Sequence, residues 1–272
     1  VAEGIDYSFG SGVSAGQIHA AGKRFVARYL SYLPNAKCIN APEFANLVKA
    51  GLAVVLVWED TGRDCARGHA GGVADATEAN KQAHALGAGS AVIYFAPCDY
   101  DAPPGDQPSI NAYMQGAASV LGHNRTGMYG GYWPLSRALS ANVCKYGWQT
   151  YAWSGGNWDK RAQLQQYQNG ARLGPCECDY DRSTQPDYGQ WPRPAAPAPA
   201  PAPVATAPSR TASGAYRHPQ AHPITLEAWA ASRNEQVATA WRIWVTNMTG
   251  DDLAAFAKLD LPAGTVFYTV NP

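Results

Sequence analysis

Apolar residues in the first two thirds of the chain fall into two alternating patterns. Continuous apolar runs such as Ala53-Val-Val-Leu-Val-Trp58 suit strands covered on both faces. Runs of this kind predict strands over 5–9, 25–30, 53–58, 91–96, 127–130, 148–153, 164–167 and 177–180. The first five are each followed by a stretch that can be helical, over 14–21, 42–50, 72–86, 110–121 and 134–142. Strand–helix alternation predicts a parallel sheet with right-handed crossovers. Eight strands then predict a closed barrel whose chemistry sits at the C-terminal strand ends.

The last three strands break that rhythm. Only 154–161 separates the sixth from the seventh, and 168–175 the seventh from the eighth. A parallel crossover takes a dozen or more residues, so both steps are expected to be antiparallel. The expected fold is α/β, a modified TIM-like barrel of five βα units plus three terminal strands.

A Pro-Ala tract over 192–208 ends this pattern. Proline fixes φ and removes donors, so the tract is read as an extended spacer of about 50 Å. The chain thus divides into a barrel over 1–191, a Pro/Ala-rich linker over 192–213 and a small, mostly helical module over 214–272. In the module, Leu226, Trp229, Val237, Trp241 and Trp244 predict an amphipathic helix over 225–245. Thr249-Gly-Asp-Asp252 predicts a cap opening a second helix through Lys258, and 267–270 a closing strand. The module's tryptophans read as core before they read as a binding stripe. The module's expected use is attachment or wall binding.

Charge narrows the partners. Lys and Arg total 21, Asp and Glu 21, so the net charge is zero and nothing draws the chain to nucleic acid. No apolar run approaches the roughly 20 residues of a membrane span. Val1 at the first position leaves room for a processed leader. The six cysteines, Cys38, Cys65, Cys98, Cys144, Cys176 and Cys178, are confined to the barrel and fit an extracytoplasmic protein. The reading favours disulfides over buried thiols. Cys176-x-Cys178 without a paired C-x-x-C does not suit zinc, and no metal or cofactor is expected.

Candidate chemistry lies in carboxylates. Asp-Tyr-Asp follows a cysteine twice, at Cys98-Asp99-Tyr100-Asp101 and Cys178-Asp179-Tyr180-Asp181, and Asp6 ends the first strand. Glu59 and Asp60 follow the third. Glycoside cleavage needs a protonated acid and a second carboxylate across the sugar ring. Any one of these acids reads equally as a helix cap or loop ligand; the set reads as a functional cluster. Tyr7, Tyr29, Tyr129 and Trp153 accompany them as sugar-binding aromatics, against a reading as barrel packing. No H-E-x-x-H and no G-x-S-x-G is present.

The order of motifs resembles a known family. Gly4-Ile-Asp-Tyr7, Ala27-Arg-Tyr-Leu30, Ile93-Tyr-Phe-Ala96 with Asp99-Tyr-Asp101, Gly127-Met-Tyr-Gly-Gly-Tyr132, Trp148-Gln-Thr-Tyr-Ala-Trp153, Gln165-Gln-Tyr167 and Asp179-Tyr-Asp181 follow one another in its sequence. Over 4–182 the chain resembles the glycoside-hydrolase-like domain of unknown function family 1906. That family is similar to the family 25 (Chalaropsis-type) lysozymes. The resemblance implies a glycan-binding barrel with Asp6, Asp99, Asp101 and Asp179 as the catalytic set. Tyr7, Tyr29, Glu59, Tyr129, Trp153, Gln166 and Asp181 would contact substrate. Asp101 stands where those lysozymes carry a glutamate general acid and is shorter by about 1.5 Å of reach. A misplacement near 1 Å can cost about 100-fold in rate.

The implied function is a glycosidase acting on bacterial peptidoglycan, in which Asp101 donates the proton and Asp99 supports it. Asp6 and Asp179 would stabilise the transition state. The expected setting is extracytoplasmic, either secreted or virion-associated as in a phage lysin, with a virion or envelope partner docked through 214–272. The alternative is a non-catalytic glycan-binding barrel or a structural virion component.

Overall fold

The computed structural model describes residues 1–8, 12–32 and 37–193, together with the backbone of two strands, Arg242–Thr246 and Val266–Val270. The chain divides into two units, Val1–Val204 and Ala205–Pro272. In the first, β1 (Glu3–Asp6), α1 (Ala15–Ala20), β2 (Phe25–Leu30), α2 (Ala41–Lys49), β3 (Ala53–Trp58), α3 (Gly68–Ala85) and β4 (Ile93–Phe95) alternate. Then come α4 (Gln107–Leu121), β5 (Thr126–Gly130), α5 (Tyr132–Ser140), β6 (Tyr146–Thr150), β7 (Leu164–Leu173) and β8 (Cys176–Ser183). The eight strands close into a barrel in sequence order.

Strands β1 to β7 pair in parallel, and β8 runs antiparallel to both β7 and β1. The antiparallel β7–β8 step was expected; the β6–β7 step corrects the sequence reading. Strand β6 ends at Thr150, not Trp153, so the link runs over 151–163 and is long enough to cross over without a helix. Gly174, at φ +59°, turns β7 into β8 beside Pro175.

Strand alternation sorts the side chains into two layers. Ile5, Val54, Leu56, Trp58, Ile93 and Phe95 face the helices, whereas Phe25, Val55, Val57, Tyr94, Tyr146 and Trp148 fill the barrel. Two glycines admit the rings inside: a Cβ on Gly4 would overlap Phe25, and one on Gly127 would overlap Tyr94. Tyr94 packs edge-on against Tyr146 and Trp148, with centroids at 6.3 and 5.9 Å. The segment after β8 seals the N-terminal end of the barrel. There Tyr188 joins the interior cluster and accepts a hydrogen bond at its carbonyl from Tyr94 Oη, 2.8 Å, while Trp191 pairs with Val54. The segment plugs the barrel at the end opposite the C-terminal strand ends.

All six cysteines are thiols, five of them buried, which corrects the expectation of disulfides. They sit mostly as small apolar residues in the layer beneath the helices, with Cys65 and Cys98 hydrogen-bonded to one another. No helix among the described residues is long and apolar enough to cross a membrane.

In the second unit, β9 (Arg242–Thr246) and β10 (Val266–Val270) pair in parallel. Residues 242–245, expected to end a helix, are therefore strand. The rest of that helix, the helix after Thr249 and the linker from 194 lie outside the described residues.

Helices α3 and α4 approach closely through reciprocal glycines. A Cβ on Gly72 would overlap the Tyr113 carbonyl, and one on Gly116 the His69 carbonyl. Helix propensity alone would make Gly116→Ala stabilising by about 1 kcal/mol. The contact predicts the opposite sign, a loss of about 1–3 kcal/mol in urea unfolding, because backbone cannot yield to the added methyl.

Candidate active site

The C-terminal ends of the strands bring carboxylates to one mouth. Asp6 is the last residue of β1 and lies directly opposite Asp179 on antiparallel β8. Asp181 pairs with Gly4, one layer deeper on the same inward face. Because β8 is reversed, its earlier residues are the ones nearest the mouth. Asp179 is therefore at the rim side and Asp181 in the floor.

One amide ties the cluster together. Gln166 Nε2 donates to Asp6 Oδ2 at 2.8 Å and to Asp179 Oδ2 at 3.1 Å, while its Oε1 accepts from Tyr129 Oη at 2.9 Å. Tyr29 Oη donates to the other oxygen of Asp6 at 3.2 Å. Gly170, left-handed at φ +64° beside an irregularity in β7, aims its N–H at Asp179 Oδ1, 2.8 Å. Burial beside Asp6 holds the Tyr29 and Tyr129 phenols neutral, so both serve as donors.

Below them, the carboxyls of Asp6 and Asp181 are buried within reach of one another's charge. Asp181 is fully buried and its Oδ1 accepts from Trp148 Nε1 at 2.8 Å. Its Oδ2 is buried without a hydrogen-bond partner, on the side where the charge of Asp6 is felt. Burial, then the charge of Asp6, pushes Asp181 well above the carboxylate range, so Asp181 holds a proton. Burial and the charge of Asp179 raise Asp6 to about 6, against the lowering bond from Gln166.

At the rim, Glu59 follows β3 and accepts from Lys37 Nζ at 2.6 Å. Burial raises Glu59 and the lysine opposes it. Asp99 lies beyond β4 with its backbone N–H on the Gly62 carbonyl, 2.9 Å, which fixes the loop. It reaches solvent, yet crowding by the mouth raises its pKa, partly offset by Lys37, and its charge is felt at Asp179, Glu59 and Tyr129. Asp101 is exposed as Asp99 is, and among the described residues neither carboxylate makes a hydrogen bond or ion pair. Strand β4 ends at Phe95, so alternation does not carry through to place Asp99 and Asp101 on one face.

Among the aromatics, Tyr29 and Tyr129 are in the mouth and Trp153 is exposed on the β6–β7 loop. Tyr7 is not in the mouth. It points outward, one residue past Asp6, where its Oη donates to Glu43 of α2 at 2.7 Å and Arg28 stacks on its ring. The sequence reading named no role for Trp148 or Lys37. Trp148 was legible as an inward position two residues before Thr150, whereas Lys37 sits in a loop that carries no signal. Asp75 of α3 anchors two of the mouth's loops from outside. It accepts from Tyr32 Oη at 2.7 Å and from Arg67 at 2.5 Å, and from Tyr113 of α4 at 2.5 Å.

A closed α/β barrel with acids gathered at its C-terminal mouth is the architecture of a glycoside-hydrolase-like domain. The chain belongs to the family of the Rv2525c-like, glycoside hydrolase-like domain, whose profile matches residues 16–183. A protein of Mycobacterium tuberculosis named "Putative peptidoglycan hydrolase Rv2525c" is 29% identical over 201 residues, covering 69% of this chain and 82% of the relative. The crystal structure of the M. tuberculosis Tat-secreted protein Rv2525c in complex with L-tartrate aligns at 28% identity and a TM-score of 0.65, covering 70% of this chain and 98% of that one. A glycosyl hydrolase 25 of Streptococcus pneumoniae aligns at 12% identity and a TM-score of 0.47, over 67% of this chain and 87% of that one.

The buried pair predicts a pH-dependent stability. Unfolded carboxyls release their protons near pH 4, whereas folded Asp6 retains its proton up to about 6 and Asp181 further still. The unfolded state then binds fewer protons, and stability falls as pH rises from about 4 through 6 and beyond. In Asp181→Asn the amide still accepts from Trp148, with nothing to titrate. The melting temperature of that variant should match wild type near pH 4 and exceed it progressively toward pH 8.

Proposed function

We propose that the protein is a glycosidase that cleaves bacterial cell-wall glycan outside the cytoplasm, using the carboxylates of the barrel mouth. The observation that carries this reading is the Gln166-bridged pair Asp6 and Asp179, facing a rim acid, Asp99, whose pKa is raised. Membership of a glycoside-hydrolase-like family supports it, as do the M. tuberculosis relative's name and the description of that protein as Tat-secreted.

In this mechanism Asp99 donates the proton to the leaving oxygen. The sequence reading gave that role to Asp101; Asp99 is preferred because its charge is felt at Asp179 and Glu59, which sets it beside the acids of the mouth. Glu59 is committed to an ion pair with Lys37 at 2.6 Å, and Asp181 lies too deep to meet substrate. Asp179 and the ionised fraction of Asp6 supply negative charge for the oxocarbenium-like transition state. Tyr29 and Tyr129 fix the Asp6–Gln166 array, so that it does not reorganise as charge develops. The C-terminal unit, joined through the Pro/Ala tract, serves as an attachment module to the wall, the envelope or a virion, as a phage lysin or virion-borne enzyme would require.

A second reading, a glycan-binding barrel without turnover, is favoured by the absence of a glutamate at the Asp101 position and by the distance of Asp101 from the cluster's bonds. The deciding experiment measures reducing ends released from purified actinobacterial peptidoglycan by the full chain. Asp99→Asn should lower release by about 100-fold or more, within the range of a lost general acid, while Asp101→Asn changes it only a few-fold. If Asp101→Asn abolishes release and Asp99→Asn does not, the assignment is wrong. Sedimentation with the wall and no release from wild type moves the conclusion to the binding barrel.

A further inference from the structure

Two of the barrel's six thiols meet where the rim acids are carried. Cys65 lies in the short 3-10 turn Asp64–Arg67 after β3, and Cys98 directly precedes Asp99 after β4. Two backbone bonds lace these loops together: Cys65 N donates to Pro97 O and Asp99 N to Gly62 O, both at 2.9 Å. The two segments therefore run in opposite directions, with the two cysteines as neighbours across the join. Gly62, left-handed at φ +70°, keeps the approach close, since a Cβ there would lie 3.3 Å from Asp99 Cβ. The side chains meet as the backbones do, and the Cys98 thiol is hydrogen-bonded to the Cys65 sulfur.

The two sulfurs are unlike. The bond from Cys98 lowers Cys65 to about 7 against the effect of burial, and Tyr100 Oη, 3.7 Å from the sulfur, assists. The same bond, together with burial, keeps Cys98 protonated. A thiol that ionises near ambient pH beside a protonated partner suits disulfide exchange, in which one sulfur attacks and the other resolves. Both residues are buried. Cys65 is nonetheless one layer from solvent, because half-buried Tyr100 rests on it and exposed Arg63 stacks on that ring at 4.6 Å. A second close pair lacks the geometry. Cys176 and Cys178 lie two apart on β8, where parallel side chains keep their Cβ atoms about 6.7 Å apart, against the ~3.8 Å of a disulfide.

We propose that Cys65 and Cys98 form a redox-active dithiol, a modification site that exchanges with an external disulfide and locks the loop carrying Asp99. In the first step the Cys65 thiolate attacks one sulfur of the external disulfide, a mixed disulfide forms, and one thiolate leaves. Cys98 then gives up its proton and attacks Cys65 Sγ, which closes the internal bond and expels the second thiolate. The two protein thiols together lose two electrons and two protons, and the external disulfide takes up both to leave as two thiols. The cross-link joins the β3 and β4 loops one residue from Asp99. The rim acid is then fixed by a covalent bond where backbone hydrogen bonds alone hold it in the dithiol. The inference does not depend on the glycosidase reading, since its test reads thiols and stability.

The test incubates folded, full-length protein with oxidised glutathione, alkylates the remaining thiols after denaturation and maps the peptides by mass spectrometry. One internal cross-link, Cys65 to Cys98, is expected, with the other four cysteines alkylated. Cys98→Ser should accumulate a glutathione adduct on Cys65, while Cys65→Ser leaves Cys98 unmodified, because only the ionising sulfur attacks. Wild type should melt roughly 5–15 °C higher oxidised than reduced, since the bond closes a long loop, and Cys65→Ser should show no such difference. Six alkylated thiols in wild type treated with the oxidant overturn the proposal. So does a cross-link between any other pair in place of this one, or a glutathione adduct that persists on wild-type Cys65. A cross-link formed without a rise in melting temperature overturns the lock.

Discussion

Two carboxyl groups are buried side by side in the barrel, and the hydrogen bonds they receive come from neutral donors. That constraint shapes everything around it. Asp181 must keep a proton to coexist with Asp6, and Trp148 fixes which oxygen of Asp181 is left to hold it. Gln166 then orients Asp6 toward the mouth and couples it to Asp179. The aromatic plug beneath, built from Phe25, Tyr94, Tyr146 and Tyr188, excludes solvent from the lower face of the pair. A negative site is thereby set on an apolar floor. Such a floor strengthens every charge interaction made above it.

Antiparallel β8 is what makes the arrangement compact. A parallel eighth strand would bring one terminal residue to the mouth. The reversed strand instead lays Asp179 and Asp181 along one inward face, at successive depths opposite Asp6 and Gly4. Glycine at position 4 is part of this design, because the inward site there is taken by the ring of Phe25. The mouth therefore has a layered electrostatic profile, with a neutral acid in the floor, a partly ionised acid at mid-depth and carboxylates more open to solvent at the rim.

Much of this was legible in the sequence. Continuous apolar runs located all eight strands, and the five βα units follow from their spacing. The direction of β7 was misread because Tyr151–Trp153 were taken as strand, which shortened the link below crossover length. In truth they are the turn that carries an exposed indole. Tyr7 was misplaced against the same alternation that correctly put Asp6 inside, since neighbours on a strand face opposite ways. Asp99 and Asp101 were treated as strand neighbours, but β4 is short and an irregular segment carries them. Long-range links such as Gln166 to Asp6, and the service of Lys37 to Glu59, depend on closure of the barrel and leave no local pattern. The cysteine count suggested crosslinks, while the fold uses most of those residues as compact apolar filling.

The reversal of the last strand has a consequence for how the protein is held. A barrel of eight parallel strands delivers its C-terminus toward the active face unless a final helix returns it. Here β8 travels away from the mouth, and residues up to Arg193 run across the sealed end. Whatever follows is attached at the back of the barrel. The open face is thereby left clear of the barrel's own chain exit at Arg193.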